Sequence, residues 1–498
     1  MAIGGKEGVV YRFEKEKLPQ PIFEGKQDWI DLYYKAWEIA FENVDYVNIE
    51  GWKPILTCMP GVGVTWQWDS CFMTFITNYS NGTFSAFNNL DNLYRLRDKE
   101  TGYISMAYRI ETEQPAYGER INPPLYAWAE WEHYLISGDS SRFEEVLPAI
   151  EGLYNFIENN RRRGEGLYYF EDTGSSGMDN SPRSGFAAYD LKGSDVCFID
   201  LACQQALTAK CVAKMYEVLG NEEKVEFYRA ENKRINDLIN RYHWHPKTGF
   251  YYDFFSRNSS RPTLKVKWIN SKTCAAFWTL LCDASDDLAH TVPMVEHMMN
   301  PDEFFGHSPF ASLSKDDLNY DPTGGYWLGS NWHPTTFAAI RGLYEKGYTE
   351  YARQAAVKYV ESMCDVYKDP AYGGIWECYN PEQSRPATRE NGELCVPNFV
   401  GWGGLGPITV LIENLIGLHF NAAENKVEFD LFPEKKTGLK NMLFNGGKVD
   451  IECTKIGVAA GETEIKVTAE KPFTLVVRYA RRRKQTFEVQ AGENTFNI

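Results

Sequence analysis

Residues 194–241 read SDVCFIDLACQQALTAKCVAKMYEVLGNEEKVEFYRAENKRINDLINR, and this stretch decides the fold class. Val196, Ile199, Cys203, Leu207 and Val212 recur at the spacing of one helix face, starting from an N-cap at Ser194. Gly220 ends that helix, because glycine enters the left-handed conformation at a helix terminus without steric cost. Asn221 then caps a second helix, and Glu222 and Glu223 fall in its first turn, where the helix dipole favours negative charge. Lys224 stands where a capping box would place Glu or Gln, so the full box is absent. The product is a helical hairpin.

The same periodicity continues outward in both directions. It appears near 27–45, 68–80, 83–97, 123–137, 140–162, 195–219, 221–241, 270–284, 286–299, 333–346, 349–366 and 401–417. Twelve helices in consecutive pairs predict a mainly α chain built as an (α/α)6 toroid, six hairpins around one axis. No strict short repeat is present, which disfavours a solenoid. The segments 98–122, 163–193, 242–269 and 366–400 are too long to be plain connectors, and long ordered loops in a compact domain carry function.

Composition changes near residue 420. All fourteen Trp lie at or before Trp402, and 421–498 holds 13 basic against 11 acidic residues, so the acidic excess of the chain (net −16) belongs to what precedes. The tail alternates in β fashion through Val427, Phe429 and Leu431, turns at Asn445-Gly446-Gly447 and runs on through FTLVVRY. The expected organisation is a catalytic toroid over 1–420 and a small β-sandwich over 421–498. The RRRK run at Arg481–Lys484 reads as a solvated turn or edge strand. An acidic chain lacks the basic footprint that nucleic acid or an anionic membrane needs. Eleven scattered cysteines without a C-x-x-C pair, and an N-terminus without an apolar h-region, point to a reducing cytoplasm. The sequons at Asn78, Asn81 and Asn258 then carry no meaning.

Two of the long loops hold one conspicuous acid each. Asp179 stands in Ser176-Gly177-Met178-Asp179-Asn180-Ser181-Pro182-Arg183, where an Asx-turn is the plain structural explanation. Glu377 stands in Gly373-Gly374-Ile375-Trp376-Glu377-Cys378-Tyr379-Asn380-Pro381, where a surface glutamate beside a core Trp is the plain one. Taken together, two acids on separate loops among aromatic residues are what glycoside hydrolysis requires. One protonates the leaving oxygen, and the other activates water or attacks carbon.

SGMDNSPR at 176–183, WECYNP at 376–381 and FVGWGGLGPI at 399–408 resemble glycoside hydrolase family 63 and its mannosylglycerate-hydrolase-like relatives, with the family 37 trehalases more distant. Trp66-Gln67-Trp68-Asp69-Ser70, Asn122-Pro123-Pro124-Leu125 and Gly324-Gly325-Tyr326-Trp327 look like further elements of the pattern in the same order. The resemblance implies an (α/α)6 barrel and exo-acting hydrolysis of an α-linked glucoside, mannoside or small oligosaccharide with inversion. Asp179 matches the general acid and Glu377 the general base, so Asp179 is expected to carry a raised pKa. Trp68 and Asp69 match the innermost sugar subsite, although an N-cap would also account for Asp69. Trp66, Gln67, Trp327, Trp332, Tyr379 and Trp402 are expected sugar contacts, since ring faces stack on pyranoses. Arg183 either binds sugar hydroxyls or braces its loop. The relatives carry an arginine after Tyr-Trp where this chain has Leu328, and His333 follows shortly after.

His243 and His245 lack a third ligand, and Asp316, Asp317 and Asp321 lack calcium-loop spacing, so no metal site is expected. No Walker, dinucleotide or nucleophile-elbow motif occurs, and no cofactor is expected. The expected partner is a small carbohydrate substrate, and a homo-oligomer is compatible with the sequence. The competing readings are a sugar epimerase on the same toroid, which would want paired histidines, and a catalytically silent carbohydrate-binding protein.

Overall fold

Asn221 caps its helix as the sequence suggests: its side chain accepts the Lys224 N–H at 3.2 Å, and Gly220 before it has φ +74°. The computed structural model that shows this describes residues 10–184, 192–256, 267–457, 461–479 and 483–498. The first helix of the hairpin differs from expectation. It spans Ile199–Val218, and Ser194 lies in a short 3-10 turn before it. The reason is long-range. Val196–Cys197 pairs as a strand with Phe254–Phe255, which brings the buried Asp253 carboxylate onto the Ile199 N–H at 2.8 Å. A distant aspartate thus satisfies the helix start that a local serine was expected to serve.

All twelve helical segments are present. Leu405–Ile416 is wound as a π-helix and Cys274–Leu280 as a 3-10 helix, while the others are α-helical. Their burial alternates along the chain. Gln67–Thr77, Tyr126–Ser137, Ile199–Val218, Cys274–Leu280, His333–Glu345 and Leu405–Ile416 are buried over all or most of their length. The helices that alternate with them, Gln27–Glu42, Phe87–Leu96, Ser141–Asn160, Glu222–Tyr242, Leu288–Met298 and Thr349–Lys368, bury one face and solvate the other. Each deeply buried helix touches the next in chain order, and the last touches the first, so the six make a closed ring of contacts.

After the last helix the chain forms two sheets. The four-stranded one contains Leu418–Asn421, Lys426–Asp430, Phe473–Tyr479 and Arg483–Val489. The five-stranded one contains Thr437–Phe444, Gly447–Lys455, Glu464–Ala469 and Gly492–Asn497, joined by Gln20–Phe23 from the opposite end of the chain. Alternate residues such as Val449, Ile451 and Cys453, or Phe473, Leu475 and Val477, are buried, the period of a half-covered sheet. Arg483 and Lys484 of the basic run open an exposed edge strand; Arg481 and Arg482 lie outside the described residues, as does the Asn258 sequon. All eleven cysteines are buried free thiols. Among the described residues no helix is long and apolar enough to cross a membrane.

Candidate active site

Loops that carry the candidate residues come together, and short backbone pairings fix two of them. Val64–Trp66 pairs with Ala107–Arg109 and leads into the Gln67–Thr77 helix, placing Asp69 in its first turn. Asn331–Trp332 pairs with Cys378–Tyr379, which holds the Tyr326-Trp327 loop beside the strand that follows Glu377. Trp66 is the N-cap residue, so the alternative of an N-cap role for Asp69 does not hold.

The Asp179 loop is pinned from within and from both sides. Thr173 Oγ1 donates to the Asp179 carbonyl at 2.6 Å, and Ser176 Oγ donates to the Thr173 carbonyl at 2.7 Å. Asn122 donates to the Ser175 carbonyl at 2.9 Å, and Asn180 links the loop to the Tyr326-Trp327 segment, donating to the Gly325 carbonyl at 2.9 Å and accepting the Trp327 N–H at 2.8 Å. Gly177 has φ +77°, and a Cβ there would come within 3.0 Å of the Trp68 ring. Only glycine lets the loop lie this close against that indole.

Asp179 itself stays exposed to solvent. Among the described residues its carboxylate receives no hydrogen bond, and the surrounding protein, followed by the charge of Glu377, pushes its pKa up to about 6. Glu377 is built in the opposite sense. It is 4% exposed, with Tyr326 Oη donating to Oε1 at 3.0 Å, the Val396 N–H to Oε2 at 3.2 Å, and the Arg389 guanidinium 3.5 Å from Oε2. Both carboxylate oxygens are therefore engaged by donors. Asp69 is the third acid of the group. Burial is the main cause that lifts it to about 7, and Glu377 and Asp179 add to the lift. Tyr326 adopts φ +67°, an unusual backbone state for a tyrosine, at the position that delivers its hydroxyl to Glu377.

The aromatic candidates form one connected wall. Trp327 and Trp332 stack at 4.1 Å with a 3° interplanar angle; Trp402 meets Trp332 and Trp68 edge-on at 6.0 and 5.9 Å. All four are buried, whereas Trp66 keeps partial exposure and stacks on Tyr117 at 5.1 Å. The Trp402 Nε1 donor and the Gln67 Oε1 acceptor are buried without a partner among the described residues, although Gln67 Nε2 faces the Asn122 and Pro123 carbonyls.

Two expected sugar contacts have other duties. Arg183 is fully buried, and its guanidinium bonds Asp200 at 2.5 and 2.8 Å and Asp253 at 2.8 Å twice. It braces the loop from behind, and with its donors spent on two carboxylates it offers none to a ligand. Tyr379 is 1% exposed, accepts the Trp376 N–H at 3.2 Å and packs edge-on against His333, so it braces the segment that carries Glu377. Burial lowers His333 to about 4; Nε2 engages the Trp376 carbonyl and Nδ1 the Tyr359 hydroxyl. Leu328 contributes its carbonyl, which accepts the Asp321 N–H at 2.8 Å. His243 and His245 turn to separate partners, the Tyr252 carbonyl and Thr248, and Asp316, Asp317 and Asp321 are spent on neighbouring loop donors. Sequence reasoning missed Tyr326, Asn180 and Arg389 as contributors. The first two lie inside motifs quoted for other residues, whereas nothing in the sequence marks Arg389.

An uncharacterized protein of Borreliella burgdorferi is 25% identical over 96% of this chain and 98% of its own. A mannosyl-oligosaccharide glucosidase of Arabidopsis thaliana is 22% identical over 73% of this chain, a match that takes in 44% of the plant protein. The solved family 63 mannosylglycerate hydrolase of Thermus thermophilus, in complex with glucose, superposes with a TM-score of 0.59 at 17% identity, covering 76% of this chain and 99% of that one. Residues 63–392, which include Asp69, Asp179 and Glu377, match the family profile described as the mannosylglycerate hydrolase MGH1-like glycoside hydrolase domain; the chain belongs to that family.

Proposed function

We propose that this glycoside hydrolase is an exo-acting, inverting α-glycosidase acting on a small α-linked glucoside, mannoside or oligosaccharide, with Asp179 as general acid and Glu377 as general base. The observation that carries the reading is the contrast between the two carboxyls: Asp179 is accessible, free of hydrogen bonds among the described residues and raised to about 6, while Glu377 accepts donors on both oxygens. Environments that push two acids apart assign the acid and the base. In the proposed single displacement Asp179 gives its proton to the glycosidic oxygen as positive charge develops at the anomeric carbon. Glu377 takes a proton from a water attacking the opposite face. Inversion needs a gap of roughly 6.5–9.5 Å between the carboxyls for that water. The closed ring of six buried helices, each followed or preceded by a one-faced outer helix, supports an (α/α)6 toroid as the scaffold, with the two C-terminal sheets as a β-sandwich accessory unit.

The test begins with a screen of α-linked glucosides, mannosides, galactosides and trehalose. On any substrate found, Asp179→Asn and Glu377→Gln are each expected to lower kcat by about 10²–10⁴-fold, the range of a lost general acid or base, with the fold retained. NMR of the first-formed anomer is expected to show inverted configuration; a retained product rejects the single displacement.

A further inference from the structure

Glu377 stands buried among acids and thiols, with few donors to hold it. It is 4% exposed, and it acts electrostatically on Asp69 of the Gln67–Thr77 helix, on Asp179 of the 163–193 loop, and on the buried Cys58 and Cys378 thiols. Against them stand two neutral donors, Tyr326 Oη and the Val396 N–H, and one cation, Arg389, whose guanidinium lies 3.5 Å from Oε2. The cation of the acid loop, Arg183, is committed to Asp200 and Asp253. We propose that Arg389 is a positioning residue that holds Glu377 in place as the ionised base.

The backbone around Arg389 is shaped for this. Thr388 and Leu394 form an antiparallel bridge, the Arg389 N–H donates to the Glu393 carbonyl at 2.7 Å, and the Gly392 N–H donates back to the Arg389 carbonyl at 3.0 Å. This tight turn presents the side chain toward Glu377. Farther along the same segment, Val396 contributes an uncharged amide to Glu377. Arg389 Nε is buried without a partner among the described residues, so the head group is held by its far edge on Glu377. Glu390, the next residue, is exposed and adds to the raised state of Asp179. One turn therefore places a positive charge toward the base and a negative charge toward the acid.

The inference rests on the assignment of Glu377 as base, and its test reads Glu377 directly. The ¹³C carboxyl resonance of Glu377, assigned by its loss in Glu377→Gln, is titrated in the wild type, Arg389→Gln and Arg389→Lys. Arg389 is 43% exposed, which favours intact folding of both variants and places the effect at the low end for an opposite charge, about one pH unit upward in Arg389→Gln. Arg389→Lys is expected to return the titration toward the wild type. On a substrate from the screen, the acidic limb of kcat/KM is expected to move upward by the same amount, while the basic limb stays in place. An unmoved Glu377 titration in Arg389→Gln overturns the inference. Full activity of Glu377→Gln would reject the assignment of the base instead, and the titration still reports whether Arg389 acts on the carboxyl.

Discussion

Asp69 shows most plainly what the site costs the fold. Its carboxyl is 8% exposed and lifted from the ordinary range to about 7, so between about pH 4 and pH 7 the folded chain holds a proton that the unfolded chain has released. Stability then falls as pH rises through that window and levels off above it, by up to ~4 kcal/mol from a shift of about three units. Asp69→Asn is expected to raise the melting temperature at pH 8 and leave it unchanged near pH 4, while impairing turnover. Thermal unfolding across pH checks the sign, and a melting temperature lowered at pH 8 would contradict it. Asp179 sets a second expectation: if it must be protonated to act, kcat/KM declines as pH rises through about 6, and Asp179→Asn abolishes that limb along with the activity. At this scale the acids could be singled out from motif and loop length. Their mutual influence could not, because it depends on burial that no local pattern encodes. Arg183 is the clearest example: its partners lie 17 and 70 residues away, so the sequence left open whether it faced sugar or carboxylates.

Elements were most legible where their signals are local. The Gly220-Asn221 junction carries its own chemistry, and Asn221→Ala is expected to cost about 1 kcal/mol of stability, measured by denaturant unfolding. The start of the preceding helix was misplaced because its true cap, Asp253, arrives through the pairing of Val196–Cys197 with Phe254–Phe255. That same aspartate meets Arg183, so one buried cluster both starts a helix of the ring and supports the acid loop. Arg183→Met is therefore expected to be costly out of proportion to its distance from the cleft, about 3–5 kcal/mol, since it strands two buried carboxylates. Gly177→Ala probes the opposite face of the loop. The added methyl meets the Trp68 ring in a left-handed backbone, so the variant is expected to lose activity more than stability as Asp179 is displaced.

At the scale of the molecule, the change in composition near residue 420 falls beside the strand Leu418–Asn421, yet the chain's first strand was invisible. Gln20–Phe23 is four residues with a central proline, too short for any periodicity, and its partner Thr437–Phe444 lies more than four hundred residues on. Its pairing ties the five-stranded sheet to the start of the helical part of the chain. Phe23 packs on Trp29 of the first helix at 4.9 Å and on Phe432 of the C-terminal part at 5.1 Å. Further ties cross the same boundary: Asn445 N–H to the Ile136 carbonyl at 2.9 Å, Arg478 to Tyr344 Oη at 3.0 Å, and Arg353 to the Asp430 carbonyl at 3.1 Å. A boundary stitched by strand, aromatic and polar contacts predicts cooperative unfolding of the whole chain. Calorimetry is expected to show one transition, and Phe23→Ala to shift it downward intact, at a cost of about 3–5 kcal/mol, because the deleted ring serves both parts at once. If Phe23→Ala instead split the trace into two transitions, with the first lost on truncation after residue 417, the sheets would be an independently folding unit and these contacts too weak to couple it to the ring.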